Sequence, residues 1–225
     1  MSKKNQRLVI LLSVIMSLFI FPISTLGNNI SETETPNEIS IVVDNTEEGI
    51  NAIDAKFEEE LIRTKKIKIL AEYILQNSRI KDIDEASFIA RKHLEASEKT
   101  GIPVTIGMAV NKRESTYRKK AISSNFSSYG MMGIHCKVWR KKKDFNISSC
   151  DQLYNIEKNI FIGYEILKEY SSYKCSEGRC YTNGLMRYHG YSSKTKHLAR
   201  EYVSNVMQDA NNIKRRVNNA VTSSR

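Results

Sequence analysis

Apolar residues in this chain recur at helical spacing over long stretches, whereas alternating strand-like patterns are scarce. That periodicity restricts the fold to a mainly helical one. Phe57, Leu61, Ile62, Ile67, Leu70, Ile74 and Leu75 predict a helix over residues 53–76. A second is predicted over 84–97, stopped before Gly101. A third begins at Pro103, whose fixed φ suits a first helical turn, and runs through Val104, Ile106, Met108, Ala109 and Val110 to Glu114. Ser123-Ser124-Asn125 and Ser127-Ser128-Tyr129-Gly130 then read as loop. Further helices are expected over 151–169, 185–189 and 193–217, and residues 39–43 alone read as a short strand.

The first 27 residues have a different character. Lys3, Lys4 and Arg7 precede an apolar run over 8–23, followed by Ser24-Thr25-Leu26-Gly27. This is the order of a secretory signal. A retained membrane anchor is the other reading, since about 16 apolar residues approach the ~20 of a membrane span. Either way the chain is expected to be exported, to the periplasm or cell envelope. Residues 28–60 carry ten carboxylates against Lys56 alone, and residues 61–225 carry 31 basic and 15 acidic side chains. A polar acidic stretch with few apolar residues reads as a spacer. The basic body suits an anionic polymer or surface. Lys141-Lys142-Lys143 and Lys214-Arg215-Arg216 are short runs of the kind found on solvated faces, and no nucleic-acid motif accompanies them. A nucleic-acid partner is not expected.

Four cysteines, Cys136, Cys150, Cys175 and Cys180, all fall in the C-terminal half. An even number in an exported chain suggests two disulfides with three connectivities, of which local pairing is the simplest. Zinc is the rival reading, but neither pair has the spacing of a zinc site. No metal or cofactor is expected.

Glu114 ends an otherwise apolar helix, and no other carboxylate occurs from Ser115 through Lys143. Glycoside hydrolysis ordinarily uses two carboxylates, so a partner for Glu114 would have to come from Asp144, Asp151, Glu157 or beyond. A lone glutamate among basic residues is, by itself, more often a surface ion pair. Its surroundings point elsewhere. Glu114-Ser115-Thr116-Tyr117 is followed by Ala121, Ser123 and Ser124, then Tyr129-Gly130-Met131-Met132-Gly133-Ile134. Asn159-Ile160 with Gly163, Tyr164 and Leu167 comes next, then Tyr188-His189-Gly190 and Tyr202-Val203.

This ordered set, spanning about residues 102–207, resembles the catalytic domain of the SLT-type lytic transglycosylases in the lysozyme superfamily. The resemblance implies a mainly α, lysozyme-like catalytic domain over residues 101–225 with a C-terminal helix. Before it would come a signal or anchor (1–27), an acidic linker (28–52) and a helical extension (53–100). It implies a peptidoglycan-cleaving enzyme in which Glu114 is the single acid and base. The hydroxyl of Tyr188 is expected near the Glu114 carboxyl. Ser115, Ser124, Gly130, Met131, Met132, His189 and Tyr202 are expected along the saccharide groove, with the role of Tyr202 the least defined. Asn159 is expected to be structural, beneath the site. Met131, Met132 and Ile134 would wall the carboxyl and raise its pKa. The sequence departs from the family at two positions: Gly133 stands where glutamine is usual and His189 where asparagine is usual. A muramidase and a non-catalytic wall-binding protein are the alternatives. Peptidoglycan strands are the expected substrate, with a secretion, conjugation or phage-related envelope complex as the setting.

Overall fold

The computed structural model describes residues 47–172 and 180–222. The segment over 1–27, the strand expected over 39–43 and the pairing of Cys175 with Cys180 lie outside the described residues. Residues 44–225 form one compact unit, and its architecture is mainly helical.

Helix α1 (Glu47–Asn77) starts earlier than its apolar pattern, inside the expected linker. Its C-terminal half turns Leu70, Ala71, Tyr73 and Ile74 wholly inward, whereas Ile53, Phe57 and Leu61 stay exposed. Positions 70, 71 and 74 share one helical face, so a single stripe enters the core. α1 and α2 (Ile83–Thr100), the expected helical extension, supply part of the same core as the later helices. Asp82 caps α2 by accepting from the Asp84 N–H at 2.9 Å. Gly101 ends it at φ +77°, its N–H donating to the Ser97 carbonyl. That left-handed turn favours glycine.

Helix α3 (Val104–Ser115) follows Pro103 directly and buries Ile106, Met108, Ala109 and Val110. It stops abruptly after Glu114-Ser115, because Thr116 and Tyr117 both take positive φ, 56° and 61°. Left-handed backbone costs a residue with a Cβ about 1–2 kcal/mol. The surroundings hold it there: the Tyr117 hydroxyl donates back to the Met108 carbonyl at 3.0 Å, and Arg118 Nε donates to the Ser115 carbonyl at 2.9 Å.

The loop expected over 123–130 supplies one strand of a small antiparallel ribbon that the sequence did not announce. Strand β1 (Ser128–Tyr129) pairs with β2 (Ile134–His135) across a turn in which Gly130 and Gly133 have φ of +76° and +63°. Two-residue strands carry too few side chains for a period to register. Buried Asn159 fastens the turn, accepting from the Met132 N–H at 2.7 Å and donating to the carbonyls of Tyr129 and Leu153.

A short helix α4 (Cys136–Trp139) follows, joined by the Cys136–Cys150 disulfide to the 3-10 turn Cys150–Tyr154. Closing a loop of this length is worth about 3 kcal/mol in the chain-entropy description. Helix α5 (Ile156–Ser172) crosses behind the ribbon. The chain closes with α6 (Cys180–Tyr188) and α7 (Lys196–Thr222), both longer than their apolar patterns predicted. No helix among the described residues is long and apolar enough to cross a membrane.

Two long-range polar clusters lock these helices. His93 on α2 is fully buried; Asn111 Nδ2 donates to its Nε2 at 2.8 Å, which places the ring proton on Nδ1, 3.0 Å from the Tyr164 hydroxyl. Burial lowers the His93 pKa to about 3, so the ring stays neutral and joins α2, α3 and α5. The sequence offered no partner for this histidine, because both partners are distant along the chain. In the second cluster, Asp209 on α7 receives Lys112 at 2.7 Å and Arg113 at 2.6 Å, both from the last turns of α3.

Candidate functional site

The α3–α7 clamp fixes what happens one residue further on. Glu114 follows Arg113, and Tyr202 lies seven residues, two helical turns, before Asp209 on α7, so the clamp and the tyrosine share a face. The Tyr202 hydroxyl donates to Glu114 Oε1 at 2.6 Å. The other carboxylate oxygen, Oε2, faces Gly133: a Cβ built there would stand 2.5 Å from it. Glycine is thus required at 133 on two counts, the positive φ and the close approach of the carboxyl.

Burial raises the Glu114 pKa from 4.5 to about 7, against a lowering contribution from the Tyr202 hydroxyl. The cause is loss of hydration for the charged form, which the single hydrogen bond offsets only in part. The Tyr202 phenol is itself raised well above its ordinary value, by burial first and then by the adjacent carboxylate. It therefore stays protonated, and able to donate, across the range in which Glu114 titrates.

Glu114 lies at the wall of a cleft of about 290 Å³ whose lining includes Gly133, Ile134, Trp139, Tyr170, Tyr188 and His189. Among the described residues, Glu114 is the only carboxylate in that lining. Asp144 and Asp151, the next acidic residues after it in sequence, are exposed and outside it. No group of three histidine, cysteine or carboxylate side chains among the described residues is placed to hold a metal ion.

The sequence-derived site residues separate into three sets. Tyr188 and His189 line the cleft with Glu114. Tyr188 lies near the carboxyl, whose charge adds to burial in raising its phenol pKa, while its hydroxyl donates to the Met132 carbonyl at 2.6 Å; the hydroxyl that donates to Glu114 is that of Tyr202. The other expected groove residues, Ser115, Ser124, Gly130, Met131, Met132 and Tyr202, are outside the lining of this cavity. Ser115 is 3% exposed, and its hydroxyl faces Asn111 and receives the Arg118 N–H. Met131 and Met132 are buried beneath the ribbon, with Met132 packed on Gly163 of α5. Gly130 is pressed against Asn159 and the Leu153 carbonyl, so its role is to permit the turn. Ser124 is exposed on the loop before β1. Of the three expected walls only Ile134 lines the cleft.

Trp139 sits in the cleft wall at 9% exposure, edge-on to Tyr170 at 5.8 Å between ring centroids. The disulfide anchors the helix that carries it. Tyr170 was not singled out in the sequence, and only the packing of α5 against α4 reveals it.

Residues 92–204, half of the chain, match the family described as the transglycosylase SLT domain. The chain belongs to that family. It is therefore a member of the lysozyme-like superfamily, and the activity associated with the family is of the lytic transglycosylase type, acting on peptidoglycan. The SLT match begins inside α2, one residue before the buried His93, and ends just beyond Tyr202. It thus encloses both the neutral-histidine cluster and the tyrosine on Glu114. No curated protein and no solved structure matches the chain.

Proposed function

We propose that this SLT-domain protein cleaves the β-1,4 bond between N-acetylmuramic acid and N-acetylglucosamine, leaving a 1,6-anhydromuramyl end, with Glu114 as its one acid and base. The observation that carries the reading is a half-buried carboxyl at a cleft wall, with a pKa of about 7 and no second carboxylate in the lining among the described residues. Near neutral pH such a group is populated in both protonation states, which suits a residue that must first give and then take a proton.

With Oε1 held by Tyr202, Oε2 is the oxygen left to carry the proton, and Gly133 leaves its approach clear. Glu114 donates that proton to the glycosidic oxygen as the bond to muramyl C1 breaks. The N-acetyl oxygen of the same sugar stabilises the developing positive charge. The carboxylate now formed removes the proton from the muramyl C6 hydroxyl, whose oxygen bonds to C1. Glu114 is restored to its acid form and no water is consumed. The Tyr202 hydrogen bond is stronger to the charged intermediate form of Glu114 than to the neutral one, so it supports the first proton transfer.

A muramidase would require a carboxylate able to activate water across the cleft, and Asp144 and Asp151 lie outside the lining. Export belongs to the same proposal. It is supported by the basic-apolar order of residues 1–27, with the acidic stretch that follows as a spacer and the basic body as the wall-facing part. Mass analysis of muropeptides released from purified sacculi tests the reading. Anhydro ends are expected; reducing ends would make the protein a hydrolase, and intact sacculi a binder.

A further inference from the structure

His189 lines the cleft in the turn directly after α6, and the structure gives it a partner that the family resemblance does not. Its imidazole lies flat on the Tyr202 ring, with centroids 4.4 Å apart and planes 16° from parallel. His189 lines the cleft and Tyr202 does not, so the imidazole is the outer layer of the stack. The inner layer ends in the hydroxyl that donates to Glu114 Oε1 at 2.6 Å.

The backbone fixes the ring in place. The His189 N–H continues α6 by donating to the Leu185 carbonyl, and Gly190 turns the chain at φ +85°. The Tyr191 N–H reaches back to the Met186 carbonyl, closing a glycine-dependent helix end. The stack therefore joins the turn after α6 to the second turn of α7, whose Tyr202 hydroxyl meets the carboxyl borne by α3.

We propose that His189 is a positioning residue for the reaction: by covering the Tyr202 ring it holds the phenol hydroxyl on Glu114. The inference deepens the function proposed above and rests on it for the word reaction. The geometry needs only the flat ring of His189, not its nitrogens. An asparagine at this position could not provide that ring, so in this chain the cleft residue acts through Tyr202.

Other titratable or charged groups face the same place. Tyr188 and Arg187 do so from α6 and Arg113 from α3, and His135 and Tyr170 line the same cleft. The test must therefore read Glu114 itself. Carboxyl-carbon NMR would follow the Glu114 titration in the full chain, in Tyr202→Phe, His189→Ala, His189→Phe and the His189→Ala/Tyr202→Phe double variant. Loss of a hydrogen bond to the ionised form raises a carboxyl midpoint, so Tyr202→Phe should move it upward. His189→Ala should move it in the same direction by less. His189→Phe, which preserves a stacked ring, should retain the wild-type midpoint, and the double variant should go no further than Tyr202→Phe alone.

Turnover of sacculi by His189→Ala should fall about twofold to tenfold, the worth of an aromatic pair, in kcat rather than KM. A midpoint that stays put or falls in His189→Ala would overturn the proposal. So would a His189→Phe protein that shifts like the alanine variant, or additive shifts in the double variant. A rise in KM alone would make His189 a sugar contact instead. If the wild type releases no muropeptides, the proposed function fails while the titration still decides whether His189 positions Tyr202.

Discussion

Replacing Glu114 by glutamine should make the protein more stable at alkaline pH while removing its activity. The carboxyl has a pKa of about 7 in the fold against 4.5 in the open chain, because burial disfavours its charged form. A pKa raised in the folded state contributes stability that is complete below the unfolded value and lost as pH rises through the folded one. Below about pH 4.5 the group is neutral in both states, so glutamate and glutamine should be nearly equivalent. Between about pH 4.5 and 7 the unfolded chain ionises and the folded one resists. At 1.36 kcal/mol per pH unit of displacement, this amounts to about 3 kcal/mol against the wild type at pH 8. Glutamine avoids that cost and can still accept the Tyr202 hydrogen bond through its carbonyl oxygen. For a folded unit of this size, about 3 kcal/mol corresponds to roughly 6–12 °C in thermal midpoint. Paired melts of wild type and Glu114→Gln at about pH 4, 6 and 8 measure it, and the difference between the proteins cancels the groups they share. Muropeptide release by the variant should fall by at least 10²–10⁴-fold, the usual range for general acid–base catalysis. A stability difference that is constant with pH, or a variant less stable at pH 8, would refute the buried, charge-averse carboxyl.

Tyr202→Phe should lower turnover by roughly one to two decades, the worth of a hydrogen bond to an ionised group. The alkaline limb of its pH–rate profile should move upward, whereas Tyr188→Phe, which loses only the bond to the Met132 carbonyl, should leave that limb in place. Gly133→Ala should retain a cooperative melt with a loss of about 1–2 kcal/mol from its left-handed backbone. Its sacculus turnover should fall more than that loss accounts for, since the added methyl group displaces Glu114 Oε2. Leu70→Ala should cost about 2–5 kcal/mol by denaturant unfolding, as for any fully buried leucine. An effect under about 0.5 kcal/mol, the size typical of surface sites, would return α1 to the status of a dispensable extension.

Much of the secondary structure was legible because helices write themselves locally. Side chains three and four apart share a face, so Ile67, Leu70 and Ile74 declared an apolar stripe, Gly101 a stop and Pro103 a start. The exposed half of α1 shows the limit of that signal. Ile53, Phe57 and Leu61 have the same spacing as the buried stripe, and only the presence or absence of a facing helix distinguishes them. The β1–β2 ribbon was illegible because its order depends on Asn159 and two glycine turns rather than on a side-chain period.

The site divides along the same line. Glu114 and the motif order around it were legible in the sequence, whereas the pairing of Cys136 with Cys150 was the simplest of three connectivities until the structure showed it. Tertiary structure decided that Ser115 turns inward, that Met131 and Met132 are core, and that the tyrosine on the carboxyl is Tyr202 rather than Tyr188. It also decided that His93 is a neutral joint and that His189 lies on Tyr202. Each of these depends on which faces of α2, α3, α5, α6 and α7 meet, and at what height. Residue type and local spacing establish that a helix has a face; the angle and offset at which two helices pack are set by all their contacting side chains together. Tyr202 reaches Glu114 across 88 residues because Asp209 holds Lys112 and Arg113 two turns away on the same helix.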